Sequence, residues 1–90
     1  MKGSLKPHMV GLVLGKLFAI MHGLWALFVA MGMGQMLVDS MFNFHFLSNP
    51  YTVQPFNLVN AFILVVMTFV GGYVVGWMFA TIWNWVAKMK

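Results

Sequence analysis

The 90-residue chain has no cysteine and one acidic residue, and only 7% of its residues are charged. The lack of cysteine excludes disulfides, thiolate nucleophiles and zinc–thiolate sites. With Asp39 as the single acid, no carboxylate pair exists for acid–base catalysis. A soluble domain of this size needs about 25% charged residues to cover its surface. The composition therefore predicts an integral membrane protein, with the whole chain, 1–90, as one domain.

Hydrophobic residues make up 62% of the chain, and its mean hydropathy is +0.90. The first long apolar segment, 17–38, would span about 33 Å as a helix, which matches a hydrocarbon core of about 30 Å. A helical pattern extends from Pro7 to Met41, so this helix is expected to tilt or protrude. Residues 42–56, with Pro50 and Pro55, are predicted to be an external connection. A second transmembrane helix is expected over 57–86.

The positions of the five lysines predict the orientation of the two spans. Three lie within 1–16, the expected cytoplasmic or interfacial start of the first helix, and two lie within the cytoplasmic end, 87–90, while the connection has none. The positive-inside rule then places both termini in the cytoplasm of a multi-pass inner-membrane protein. Lysines confined to the chain ends do not favour nucleic-acid binding. The expected interface anchors are Lys16, Trp77, Trp83, Trp85 and Lys88.

Small residues recur at helical spacing on both predicted helices and indicate faces for close packing. On the first helix these are Gly11, Gly15, Ala19, Gly23, Ala26, Ala30 and Gly34, and on the second Ala61, Thr68, Gly72, Gly76 and Ala80. The fold class is therefore predicted to be all-α: an antiparallel hairpin of two transmembrane helices. Because two helices bury little of each other in lipid, we expect a homo-oligomer or a larger membrane complex.

His22 is the polar residue that lies deepest in the first apolar segment. Pairing Asn43 with Phe56 at equal depth places His22 beside Tyr73 and Trp77. A buried hydrogen bond between a neutral His22 and the Tyr73 hydroxyl would satisfy both groups. The alternatives are a ligand role to haem or chlorophyll and a proton or ion path.

The segment near the external mouth is rich in methionine, whose thioether is a ligand for Cu(I). The residues concerned are Met31, Met33, Met36, Met41 and His45. Methionine also fills irregular apolar gaps, which is the simpler interpretation. We expect no bound cofactor and no enzymatic activity, because the sequence has no nucleophile with an acidic partner and no phosphate-binding loop.

The sequence "GYVVGWMFATIWN" in the second helix, together with Gly15, Trp25 and Gln35 in the first, resembles a family of very small two-helix prokaryotic membrane proteins of unknown function. Some members of that family are labelled bacteriophage holins. The resemblance implies a hairpin that associates with itself. A holin would accumulate in the inner membrane and open lesions.

These observations predict a non-enzymatic scaffold or accessory subunit of a membrane complex, with the lipid bilayer as its surroundings. A holin-like pore-forming protein is the first alternative. A small subunit that binds haem or chlorophyll through His22 is the second.

Overall fold

The computed structural model describes residues 4–89, and in this range it contains three α-helices and no β-strand. They are α1 (Pro7–Ala30), α2 (Gly34–Phe44) and α3 (Leu58–Lys88). Two of them, α1 and α3, are long and apolar enough to cross a membrane. The prediction of an all-helical chain with two such helices is confirmed.

The first helix begins at Pro7, whose missing N–H needs no partner in a first turn. The third helix begins after Asn57, whose side chain accepts a 3.1 Å hydrogen bond from the Asn60 backbone N–H and so caps the helix. Its 31 residues correspond to about 46 Å, against about 36 Å for the 24 residues of α1. Both lengths exceed the thickness of a hydrocarbon core, about 30 Å, and α3 exceeds it by more.

The predicted continuous helix from Pro7 to Met41, with its span at 17–38, is wrong. It ends at Ala30, because Gly32 adopts a left-handed conformation with φ of 81°. The Gly32 N–H donates to Val29 O and the Met33 N–H donates to Phe28 O, a pair of bonds typical of glycine-terminated helices. The connection between the long helices therefore covers 31–57, rather than 42–56, and contains α2.

Residues of α3 meet residues of α1 in reverse sequence order. Gly76 lies against Val10 and Gly72 against Leu14, and further along α1 the position of Gly23 faces Val65. The end of α1 at Ala30 is thus level with the start of α3. We call this the connection end of the pair, and the opposite end, where α1 begins and α3 finishes, the lysine end.

Candidate functional site

The backbones of the two long helices are in close contact at four glycines, which we call the glycine contact: Gly11, Gly15, Gly72 and Gly76. A Cβ atom added to Gly72 would lie 2.6 Å from the carbonyl oxygen of Leu14, and one added to Gly76 would lie 2.6 Å from that of Val10. Both distances are far below van der Waals contact, and both involve backbone that cannot rotate away. Only hydrogen fits at these positions.

The glycines of α1 are enclosed in the same way by α3. An added Cβ at Gly11 would lie 2.9 Å from the carbonyl oxygen of Tyr73, and one at Gly15 would lie 2.9 Å from that of Phe69. Gly71 is the exception on α3, since a Cβ there would meet no atom within 4 Å. The contact therefore depends on which side of α3 a glycine faces.

The predicted packing residues differ in burial. Five are buried, namely Gly15, Gly34, Gly72, Gly76 and Ala80, and four are half-buried, namely Ala19, Gly23, Ala26 and Thr68. Ala30 is exposed. Gly34 belongs to α2, where a Cβ would meet Val29 and Val53 rather than α3. The prediction that Ala30 and Gly34 extend the α1 packing face is wrong, because the helix has already ended.

Two sets of polar contacts join the helices at the lysine end. Asn84 of α3 accepts a 2.7 Å hydrogen bond from the Leu5 backbone N–H and donates a 2.6 Å bond to the Leu5 carbonyl. His8 Nδ1 and the Tyr73 hydroxyl share a bond of 2.8 Å, with their rings edge to face. The start of α1 is thereby fixed to α3 by both side chain and backbone.

The predicted pairing of His22 with Tyr73 is wrong. Tyr73 bonds to His8, and His22 Nδ1 donates to the carbonyl oxygen of Phe18, 2.8 Å away on its own helix. The predicted centre of the external turn lies about six residues too late, which shifts the residue opposite His22 by about 12 positions, from the Val65 region to Trp77. His22 is half-buried and, at about 100° per residue, lies within ~20° of the direction of Gly11.

The predicted interface anchors all lie on the two long helices. Lys16 is exposed and is the tenth residue of α1, about 14 Å along the helix from Pro7. Its long stem tilts towards the lysine end, as helical side chains do. Trp77 is about 28 Å from the start of α3, close to the thickness of a hydrocarbon core. Trp83, stacked on Phe79, and Trp85 and Lys88 lie beyond it.

A cluster of amide and carboxylate groups fixes the connection end. Gln35 accepts a 2.6 Å bond from the Val53 N–H, and its Nε2 donates to Asp39 and to the Tyr51 carbonyl. Asn49 donates a 2.7 Å bond to the same Asp39 oxygen that accepts from Gln35. We call Gln35, Asp39 and Asn49 the amide cluster. It fastens residues 49–53 to α2.

The amide cluster lowers the pKa of Asp39 below its ordinary value of 3.8, chiefly through the hydrogen bond from Asn49 and then through that from Gln35. A depressed folded-state pKa means that these bonds stabilise the connection fully above pH 3.8 and are lost as the pH falls through the lowered value.

We expect the Asn49 side-chain NMR signals to stay constant down to about pH 5 and to shift only in stronger acid. An Asp39→Asn variant should show no such transition. A transition above about pH 5 would contradict the lowered pKa.

Grooves flank the helices at the connection end, and Trp25 lines two of them. The α1–α2 groove, of about 480 Å³, is lined by Met21, Leu24, Trp25 and Phe28 of α1 and by Leu37, Val38, Met41 and Phe42 of α2. The second, of about 450 Å³, lies between Trp25, residues 51–57 and the first turns of α3. Neither groove is lined by His22.

For the predicted metal-binding alternatives, the described part of the chain brings no set of ligands together. Between residues 4 and 89, no three His, Cys, Asp or Glu side chains are grouped to hold a metal ion. His45 Nδ1 donates to the Met41 carbonyl oxygen, and Met31, Met36 and Met41 are exposed.

His8 is a polar residue of the helix pair that the sequence prediction missed. Its place opposite Tyr73 follows when the glycines of the two helices are aligned, Gly11 with Gly76 and Gly15 with Gly72.

The glycine contact, with its polar bonds at the lysine end, is therefore the feature of the chain with the most specific geometry. Comparison of the chain with family models, curated proteins and solved structures found no match.

Proposed function

We propose that the chain is a non-enzymatic integral membrane protein, folded as a two-span antiparallel hairpin, that serves as a self-associating scaffold or as an accessory subunit of a membrane complex. The observation that carries the proposal is the contrast between the two sides of each long helix. One side is closed by the glycine contact, while the other presents bulky apolar side chains with nothing over them.

The amount of exposed surface supports a membrane location. The chain exposes 7184 Å², whereas a compact soluble protein of 10.2 kDa exposes about 5,300 Å². Ala80 is the one buried hydrophobic residue in the part of the chain that the structure describes. Only 11% and 6% of the most apolar windows of α1 and α3 are buried. Apolar helices of a soluble core would be covered by protein, so we infer that lipid or further subunits cover these.

The orientation follows from charge at the two ends of the helix pair. Lys6 and Lys88 lie at the lysine end, and the only acid, Asp39, lies in α2 at the connection end. By the positive-inside rule the lysine end faces the cytoplasm. Because α1 and α3 run in opposite directions, both chain termini then lie on that side.

Self-association is supported by Gly71, which opens on the outward side of α3. Nothing lies within 4 Å of the position of its Cβ, and its neighbours Val70, Val74 and Val75 are exposed. In lipid, helices associate where small residues let backbones approach. We infer that a second copy or a partner helix packs here.

The haem or chlorophyll alternative has one favourable feature at His22. Because a carbonyl oxygen can only accept, the bond to Phe18 fixes the proton on Nδ1 and leaves Nε2 as the possible ligand. The two apolar grooves at the connection end, however, are lined by other residues. This alternative therefore ranks below the scaffold.

Three measurements on the purified protein and on expressing cells test the proposal. We expect a colourless protein, an intact membrane potential, and an oligomer in nanodiscs by native mass spectrometry. Gly71→Leu should reduce the oligomer without separating α1 from α3. A visible absorption band lost in His22→Ala would replace the scaffold by the cofactor subunit. Abrupt loss of potential, read with a sensitive dye, would replace it by the holin-like pore.

A further inference from the structure

The short helix α2 has two chemically distinct sides. One side lines the α1–α2 groove with Leu37, Val38, Met41 and Phe42. Another side carries Gln35 and Asp39, which belong to the amide cluster. At about 100° per residue, these two sets occupy separate arcs of the helix, with Asn43 in the polar arc. Helix α2 carries no lysine or arginine. It is an amphipathic helix of 11 residues.

The apolar side of α2 continues past the end of the helix. Phe44, the last residue of α2, and Phe46 and Leu47 beyond it are exposed, and Phe46 is 97% exposed. Phe46 also has a positive φ of 61°. The Phe46 N–H donates to Asn43 O and the Leu47 N–H to Phe42 O, so Phe46 occupies the helix-ending position that glycine usually takes. A bulky aromatic residue is held there in an unfavourable conformation, directed away from the protein.

The position of α2 restricts which apolar medium can cover it. Only Met31, Gly32 and Met33 separate α2 from α1, so α2 starts at the end of the span. The facing wall of the groove, Met21 to Phe28, is part of α1 and belongs to the segment that we place in hydrocarbon. The apolar side of α2 therefore opens towards the same hydrocarbon as that wall.

We propose that α2 is an interfacial anchor that lies in the lipid headgroup region at the connection end, with phospholipid acyl chains in the α1–α2 groove and the side chain of Phe46 inserted beside them. This inference rests on the proposed membrane location of α1 and α3. The occupant is phospholipid because the groove is apolar on both walls and continuous with the lipid-facing side of a span. Gln35, Asp39 and Asn43 remain at the aqueous side.

Spin labels at single cysteines test the proposal, because the chain has none of its own. Met41→Cys reports the apolar side of α2 and Asn43→Cys its polar side, while Val13→Cys, exposed on α1, reports the span. In vesicles of phosphatidylcholine and phosphatidylglycerol, we expect the label at 41 to be relaxed more by oxygen than by a water-soluble nickel chelate. The label at 43 should show the reverse, and that at 13 should resemble the label at 41.

A second substitution separates anchoring from a structural role. The substitution Phe46→Asn introduces a residue that tolerates positive φ and removes the apolar ring. The label at 41 should then lose its preference for oxygen. An unchanged label at 41 in this variant would overturn the role of Phe46. Nickel access at 41 with oxygen access at 13 would overturn the anchor alone, whereas nickel access at 13 would overturn the membrane location. Spin–spin broadening at 41 that disappears on dilution with unlabelled protein would assign the groove to a second copy instead.

Discussion

Replacement of Gly72 or Gly76 by leucine is expected to separate α1 from α3. The first carbon of the new side chain would lie 2.6 Å from a carbonyl oxygen of α1, and the backbone has to move to accept it. We expect each substitution to destabilise the packed pair by about 2–3 kcal/mol. Leucine is a better helix former than glycine, so helicity itself should not fall. Spin labels at Val13→Cys and Val66→Cys, both exposed and both away from Gly71, should give a longer and broader distance distribution in either variant when labelled protein is diluted with unlabelled protein.

Gly71→Leu is the matched control, because it makes the same change one residue away on the same helix. Its Cβ meets nothing within 4 Å, so the distance between the labels should equal that of the parent protein. If Gly72→Leu and Gly76→Leu left the distance unchanged as well, the glycine contact would not be what holds the helices together.

Gln35→Met is expected to release residues 49–53 from α2. Methionine has a similar length but no hydrogen-bonding group of comparable strength, so the bonds to Val53, Tyr51 and Asp39 are lost together. Because the Val53 N–H loses its own acceptor, worth about 1 kcal/mol, exchange of the Val53 amide proton should accelerate by ~5-fold or more. Amide exchange followed by NMR in detergent micelles measures this directly.

Asn43→Met is the control for Gln35→Met, since it places the same side chain at an exposed position of the same helix. Exchange at Val53 should then stay at the parent rate. Equal acceleration in both variants would mean that added apolar surface on α2, rather than loss of the Gln35 bonds, loosens the connection.

The small-residue faces could be predicted from the sequence because helical periodicity is a local property. Gly11 and Gly15 on one helix and Gly72 and Gly76 on the other recur every four residues, and the structure packs these faces together. The cap at Asn57 follows a local rule as well, since an asparagine side chain often accepts from the first free N–H groups of a helix. Neither feature depends on how the rest of the chain is arranged.

The depth of the residues could not be obtained in the same way, because hydropathy does not report where a helix breaks. Apolar residues continue from Ala30 through Met31 and Met33 to Val38, whereas α1 ends just before Gly32, whose φ is positive. The misplaced turn shifted every cross-helix pair and assigned Tyr73 to His22 instead of His8. Alignment of the glycine pairs themselves, rather than counting from the turn, gives the observed register.

The central claim is that α1 and α3 both cross the membrane, with the lysine end in the cytoplasm. Fusions of alkaline phosphatase and of green fluorescent protein to each terminus measure it most directly, since the phosphatase is active only outside the cytoplasm and the fluorescent protein only inside. We predict fluorescence and no phosphatase activity at both termini, and phosphatase activity when the enzyme is inserted after Ser48 in the connection. Phosphatase activity at one terminus and fluorescence at the other would contradict the two-span hairpin.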